Sequence, residues 1–191
     1  FDIRNALGGG SATLSKVILL GQVQVQVPPK ALQAPAIVKL LIDVLGFYDA
    51  DTKFLMIRAR LRDSSVGVGP AKVDLGGELM IAIQFGSEGS FVLSAGGFHP
   101  RFTDLPARIP KEIDRLKIGF NIAIIKMSIE IYVAFTPNSF QIGVKASLKA
   151  DFGVASIEAS LSIDALLNTV DWTFRVDIDF RAKVKAFGRT L

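Results

Sequence analysis

Apolar and polar residues alternate with a period of two along most of the chain. In its second half, Ile129, Ile131, Val133 and Phe135 alternate with Glu130, Tyr132 and Ala134. The turn residues Thr136-Pro137-Asn138-Ser139 break that run. Phe140, Ile142, Val144, Ala146, Leu148 and Ala150 then alternate with Gln141, Gly143, Lys145, Ser147 and Lys149. Asp151-Phe152-Gly153 separates these from Ile157, Ala159, Leu161, Ile163 and Ala165, which alternate with Glu158, Ser160, Ser162 and Asp164. The last run sets Trp172, Phe174, Val176, Ile178, Phe180, Ala182 and Val184 against Arg175, Asp177, Asp179, Arg181, Lys183 and Lys185. Successive side chains of a strand point to opposite faces, so each segment has one apolar and one wet face. Short turns make consecutive segments antiparallel neighbours. Residues 126–187 are therefore expected to form a four-stranded meander.

The first half repeats the pattern less regularly. Val23, Val25 and Val27 alternate with glutamines until Pro28-Pro29. Leu55, Ile57, Ala59 and Leu61 oppose Met56, Arg58, Arg60 and Arg62. Val73, Leu75, Leu79, Ile81, Ile83 and Phe85 share a face, with Gly76-Gly77 marking a bulge. Phe91, Leu93 and Ala95 form a shorter strand. Residues 36–48 are long enough for a helix, but Val and Ile enrichment and Gly46 favour a strand. Residues 106–116 have room for one helical turn begun by Pro110. Residues 120–126 carry no Gly, Pro or Asp to mark a turn.

The fold class that follows is all-β and mainly antiparallel: a curved meander sheet of about ten strands. It would close as a barrel or sandwich, or stay an open gutter with an apolar interior. The chain reads as one β-rich unit with a flexible lead-in (1–15), a first strand group (16–95), a corner and loop (96–116) and a meander (117–191). Both ends read as those of an excerpt from a longer β-scaffold.

Composition removes several chemistries. With no cysteine and one histidine, disulfides, thiolate catalysis, cysteine-ligated zinc and multi-histidine metal sites are excluded. No cofactor is implied. The net charge of +4 is modest, and Arg58, Arg60 and Arg62 read as a solvated face, so no nucleic-acid partner is expected. Half of the residues are hydrophobic, yet no window reaches the ~20 apolar residues of a spanning helix. A membrane barrel would want aromatic girdles, and the chain has 1 Trp and 2 Tyr.

One stretch resembles a site: GGFHPRF, residues Gly96, Gly97, Phe98, His99, Pro100, Arg101 and Phe102. The glycines permit unusual dihedrals, and Pro100 holds His99 extended. As a corner, it would tuck Phe98 and Phe102 into the apolar face, keep Arg101 wet and let the imidazole donate to a backbone carbonyl. As a catalytic site, it would make His99 a general base oriented by Asp104. No nucleophile elbow, paired-carboxylate motif or phosphate loop accompanies it, which favours the corner. Gly8-Gly9-Gly10-Ser11 lacks the lysine of a phosphate loop. Asp177 with Asp179, and Glu158 with Asp164, lie on wet strand faces where charge keeps a sheet soluble.

Several stretches in order resemble one family: IDVLGFYDADTKFLMIRARLRDS (42–64), FVLSAGGFHPRF (91–102), IEIYVAFTPNSFQIGVKASLKADFG (129–153), IEASLSIDALL (157–167) and FRVDIDFRAKVKAFGRTL (174–191). It is the family catalogued as domain of unknown function 6603, β-rich segments of very large, mainly bacterial proteins. The resemblance covers about residues 37–191, and GGFHPRF is its most specific element. It implies a β-rich fold and a further strand beyond the GRTL segment. It carries no catalytic residues, because the family has no assigned activity. Relatives place a Gly/Asp/Asn turn where this chain has the apolar Ile122–Ile125.

The expected role is a non-enzymatic β-scaffold module with an elongated hydrophobic interior that holds lipid or acyl chains. That interior would be lined by Ile131, Val133, Phe135, Ile142, Val144, Leu148, Leu161, Ile163, Phe174, Val176, Ile178 and Phe180. The inward alanines (Ala146, Ala150, Ala159, Ala165 and Ala182) would leave room there. The alternative is a structural component of a large surface or secretion-associated protein, joined to neighbouring β-modules or to itself through strand edges. A hydrolase using His99 is the third reading.

Overall fold

A computed structural model describes residues 15–32, 34–87, 89–186 and 189–190. The lead-in assigned to residues 1–15 lies outside them apart from Ser15. Eleven strands follow one another: β1 (Lys16–Val27), β2 (Val38–Asp49), β3 (Phe54–Val66), β4 (Val73–Gln84), β5 (Ser90–Ala95), β6 (Leu116–Ile122), β7 (Ile125–Thr136), β8 (Ser139–Asp151), β9 (Ala155–Asn168), β10 (Phe174–Ala186) and β11 (Arg189–Thr190). The stretch 36–48 is strand from Val38 onward, within β2. The helical turn considered near Pro110 does not form. Instead Ile109 N–H donates to Pro106 C=O in an isolated turn at 2.9 Å, and the chain then runs extended into β6. The helical segments described are two single 3-10 turns, Lys30–Leu32 and Gly69–Ala71.

All strands join one antiparallel sheet in the order β1-β2-β3-β4-β5-β7-β8-β9-β10-β11, with β6 between β4 and β7. The sheet stays open, with β1 at one end and β11 at the other. It is neither a barrel nor a sandwich among the described residues. β5 and β6 are two halves of one ladder position. β4 pairs with β6 through Val73–Gly76 and with β5 through Leu79–Gln84, and β7 pairs with both. Residues 96–115 leave the sheet between these halves and return in line.

Two glycines make that departure possible. A Cβ on Gly96 would lie 2.3 Å from the Ile131 carbonyl oxygen, and one on Gly77 would lie 2.6 Å from Leu116 Cα. Both have positive φ, which side-chain-bearing residues rarely adopt. The bulge expected at Gly76-Gly77 sits across from it on β3, where the register slips between Leu61 and Ser64. Asp63 takes a φ of 47° there. The unmarked β6–β7 turn is a tight hairpin through Ala123 and Ile124, with Ala123 at φ 48°. An apolar residue is tolerated in that geometry because the flanking ladder fixes the register.

Register places most apolar residues of the alternating runs on one continuous face. Leu148 faces Ala159, which faces Ala182; Val144 faces Ile163, which faces Ile178. At the other end, Val23 faces Ile42, which faces Leu61. Among the described residues this face is uncovered: Leu19 is 65% exposed, and Ile178 and Phe180 are each 69% exposed. The packed core lies on the opposite face. Phe54, Met80, Ala82, Val92 and Ala134 come from the sheet, while Phe98 and Ile109 come from the loop above it. Burying each large side chain contributes about 1.5–3 kcal/mol, so the loop is held by this cluster.

Candidate functional site

The polar face around His99 is built by β7–β10 below and by GGFHPRF above. The turn Thr136–Ser139 fixes β7 against β8, so Tyr132 faces Gly143. Gly143 faces Asp164, and Asp164 faces Asp177. Gly143 leaves a notch that the Tyr132 ring fills, since a Cβ there would come 2.1 Å from the ring edge. The ring reaches across towards Asp164, and the loop closes over it. Arg115 stacks its guanidinium 3.8 Å above the Tyr132 ring. It also donates to the carbonyls of Phe98 at 2.9 Å and Gly96 at 3.3 Å. One cation thus ties the corner to the sheet.

His99 is buried, with its backbone N–H donating to Gln141 Oε1 at 2.9 Å. Its Nδ1 accepts the Arg101 N–H at 3.1 Å, which leaves the ring proton on Nε2 in the neutral form. Nε2 points at Asp177 Oδ2, 3.5 Å away, and Arg101 Nε lies 3.6 Å from the same oxygen. Burial pushes the His99 imidazole below its ordinary value, against the pull of the Asp164 and Asp177 carboxylates. Burial likewise raises the Tyr132 hydroxyl, and the Asp164 charge adds to that shift. Burial lowers Arg115, opposed by Tyr132 and Asp164. The site at neutral pH therefore holds a neutral imidazole and a protonated phenol between carboxylates.

GGFHPRF is a corner, but its parts go where the alternation did not place them. Phe98 and Phe102 stack at 6.1 Å on the polar face, not the apolar one, because the loop folds over that side. Arg101 stays exposed as expected. The imidazole accepts the Arg101 backbone N–H through Nδ1. Asp104 is exposed and bonds Thr103, so it does not orient His99; Asp177 faces the ring instead. A recess of about 470 Å³ beside the corner is lined by Arg101, Tyr132, Asp164, Asp177 and Arg181 among others, while the imidazole lies behind that wall.

The residues assigned to a hydrophobic interior all share the uncovered face. Ile131 and Val133 are half-buried there, and the other ten are exposed to about two fifths or more or lie close to it. Among the described residues no three His, Asp or Glu side chains converge as metal ligands. Tyr132, Gln141, Arg115, Asp164 and Asp177 were missed as companions of His99. The register offered one signal: counting back from the Thr136–Ser139 turn puts an aromatic opposite a glycine, a pairing in which the ring covers the bare backbone. Arg60 and Arg62 are exposed, as a solvated face requires, while Arg58 is partly buried, and all three are paired. Arg58 pairs with the buried Glu78, Arg60 with Asp114, and Arg62 with Asp43 at 3.2 Å.

Residues 11–191 match the family described as "Family of unknown function (DUF6603)". The match extends to β1 and so beyond the stretch from residue 37 that carried the resemblance. No curated protein and no solved structure matches the chain.

Proposed function

We propose, for a chain that belongs to this family of unknown function, a role as a non-enzymatic β-scaffold module whose apolar face walls an elongated hydrophobic compartment for acyl chains or lipid. The observation that carries this reading is the continuous uncovered face. Ten ladder positions at ~4.8 Å spacing give it a width of about 45 Å. Ordinary soluble monomers expose apolar patches of only about 300–600 Å². Its side chains are mostly aliphatic or phenylalanine with alanines between them, as in the Ala146, Leu161, Phe180 row. Such a surface offers shape and no directional hydrogen bonds, which suits flexible hydrocarbon. The enclosure of His99 behind the wall of its recess weighs against a hydrolase.

The second reading is an assembly component. Among the described residues β1 presents twelve residues of unpaired edge, a template for another strand. Purification followed by native mass spectrometry and solvent extraction separates the two. Co-purified lipid on a monomer supports the compartment. A lipid-free oligomer supports assembly and rejects the compartment.

A further inference from the structure

Away from His99, the polar face dips into a second recess, a trough of about 830 Å³ across β6–β10. Its floor is a row of small residues. Gly119 faces Ser128, Ser128 faces Ser147, and Ser147 faces Ser160. The three hydroxyls therefore form a ladder at the strand spacing of ~4.8 Å. None of the three makes a side-chain hydrogen bond within the described residues. Lys145 flanks the ladder on one side, and Lys126, Lys149 and Lys183 flank it on the other.

The charges here are only partly compensated. Lys149 pairs with Glu158 at 2.8 Å, Arg181 with Asp179 at 2.8 Å and Lys117 with Glu130 at 3.9 Å, while Lys145 and Lys183 lie across from the same two glutamates. Lys126, Lys145 and Lys183 make no ion pair among the described residues. Lys126 also lies directly opposite Lys149, an arrangement that destabilises a sheet. The lining carries six cationic side chains against Asp74 and Glu158, in a chain whose whole excess is +4. Repulsion concentrated in a concavity and facing free hydroxyls is relieved by an anion.

We propose that this trough binds a multiply charged oxyanion ligand bearing phosphate or sulfate groups. The lysines supply charge, and the serine ladder supplies short hydroxyl donors that order the oxygens. No aromatic side chain lines the trough among the described residues, so it lacks the stacking platform of a single-stranded nucleic-acid groove. It lies on the face opposite the apolar one, so lipid or a second copy there leaves it open.

Calorimetric titration of the full chain with sodium tripolyphosphate tests the assignment. Saturable binding is expected, weakened at least about tenfold in the Lys126→Ala/Lys145→Ala/Lys183→Ala variant. Ser147→Val, which keeps the charge, is expected to weaken it as well. The triple variant should melt no lower than the parent, because it relieves the Lys126–Lys149 repulsion. Binding that survives Ser147→Val unchanged would be diffuse attraction and would overturn the site. Flotation with vesicles carrying phosphatidylinositol bisphosphate distinguishes the source. Recruitment with the same lysine and serine dependence assigns a lipid headgroup, and tripolyphosphate binding without recruitment assigns a soluble ligand. Absence of both sinks the proposal, whatever the apolar face holds.

Discussion

The two faces of this sheet are made by the same strands and have opposite fates. One carries nearly every Val, Ile, Leu and Phe of the alternating runs and is left bare. The other carries lysines, serines and carboxylates, yet it holds the packed core. Met80 and Ala134, at 0% exposure, lie on the polar side, while Phe180, at 69%, lies on the apolar side. Average hydrophobicity therefore does not say which face is covered. Cover depends on where the chain can leave the sheet, and here it leaves between β5 and β6 and folds over the polar face. Local exceptions to the polar pattern, such as Met80, Ala82, Val92 and Ala134, receive the loop.

The contrast can be broken most severely at the exit point. Gly96→Val would force a β-branched residue into φ 80° and drive its Cβ into the Ile131 carbonyl. A loss of about 4 kcal/mol or more is expected in urea denaturation, with the 96–115 loop released. Phe98→Ala should cost about 3 kcal/mol, because its ring is buried in the loop core. Phe180→Ala on the bare face should change the same measurement by less than about 0.5 kcal/mol, while lowering lipid co-purification or oligomer content. Equal costs for the two phenylalanines would mean that the apolar face is covered within the chain.

A finer probe uses pH. His99 is the chain's one histidine, and its folded-state value is pushed below the ordinary 6.5 by burial. As pH falls, the unfolded chain takes up this proton first. Stability from this group is therefore full above about pH 6.5 and declines towards the lower folded-state value. Urea midpoints at pH 7.5 and 5.5 should show that decline, and His99→Asn should flatten it. An unchanged slope would place the imidazole in contact with water. A small effect of opposite sign is expected at the β6–β7 turn, where Ala123→Asn should raise stability by about 0.5 kcal/mol, read from the melting midpoint, because Asn tolerates φ 48° better.

Much of this was legible along the chain. The antiparallel meander of β7–β10, the strand at residues 38–49, the bulge near Gly76-Gly77 and the corner at GGFHPRF all follow from period two and turn chemistry. The partners of His99 were not. Asp164 and Asp177 occupy ordinary wet positions, and nothing in their local sequence distinguishes them from Asp179. They gain an imidazole only because residues 96–115 arch over four strands. The serine ladder is likewise invisible along the chain, since Ser128, Ser147 and Ser160 meet only once register is set.

Alternation and turn residues by themselves determined the strands, their antiparallel order and the division into an apolar and a polar face, because the pleat sends each side chain to a side by its parity. The tertiary structure alone decided that the sheet stays open, that the polar face is the one covered, and that His99 meets Asp177. Those outcomes depend on contacts between residues far apart in the chain, and parity carries no information about them.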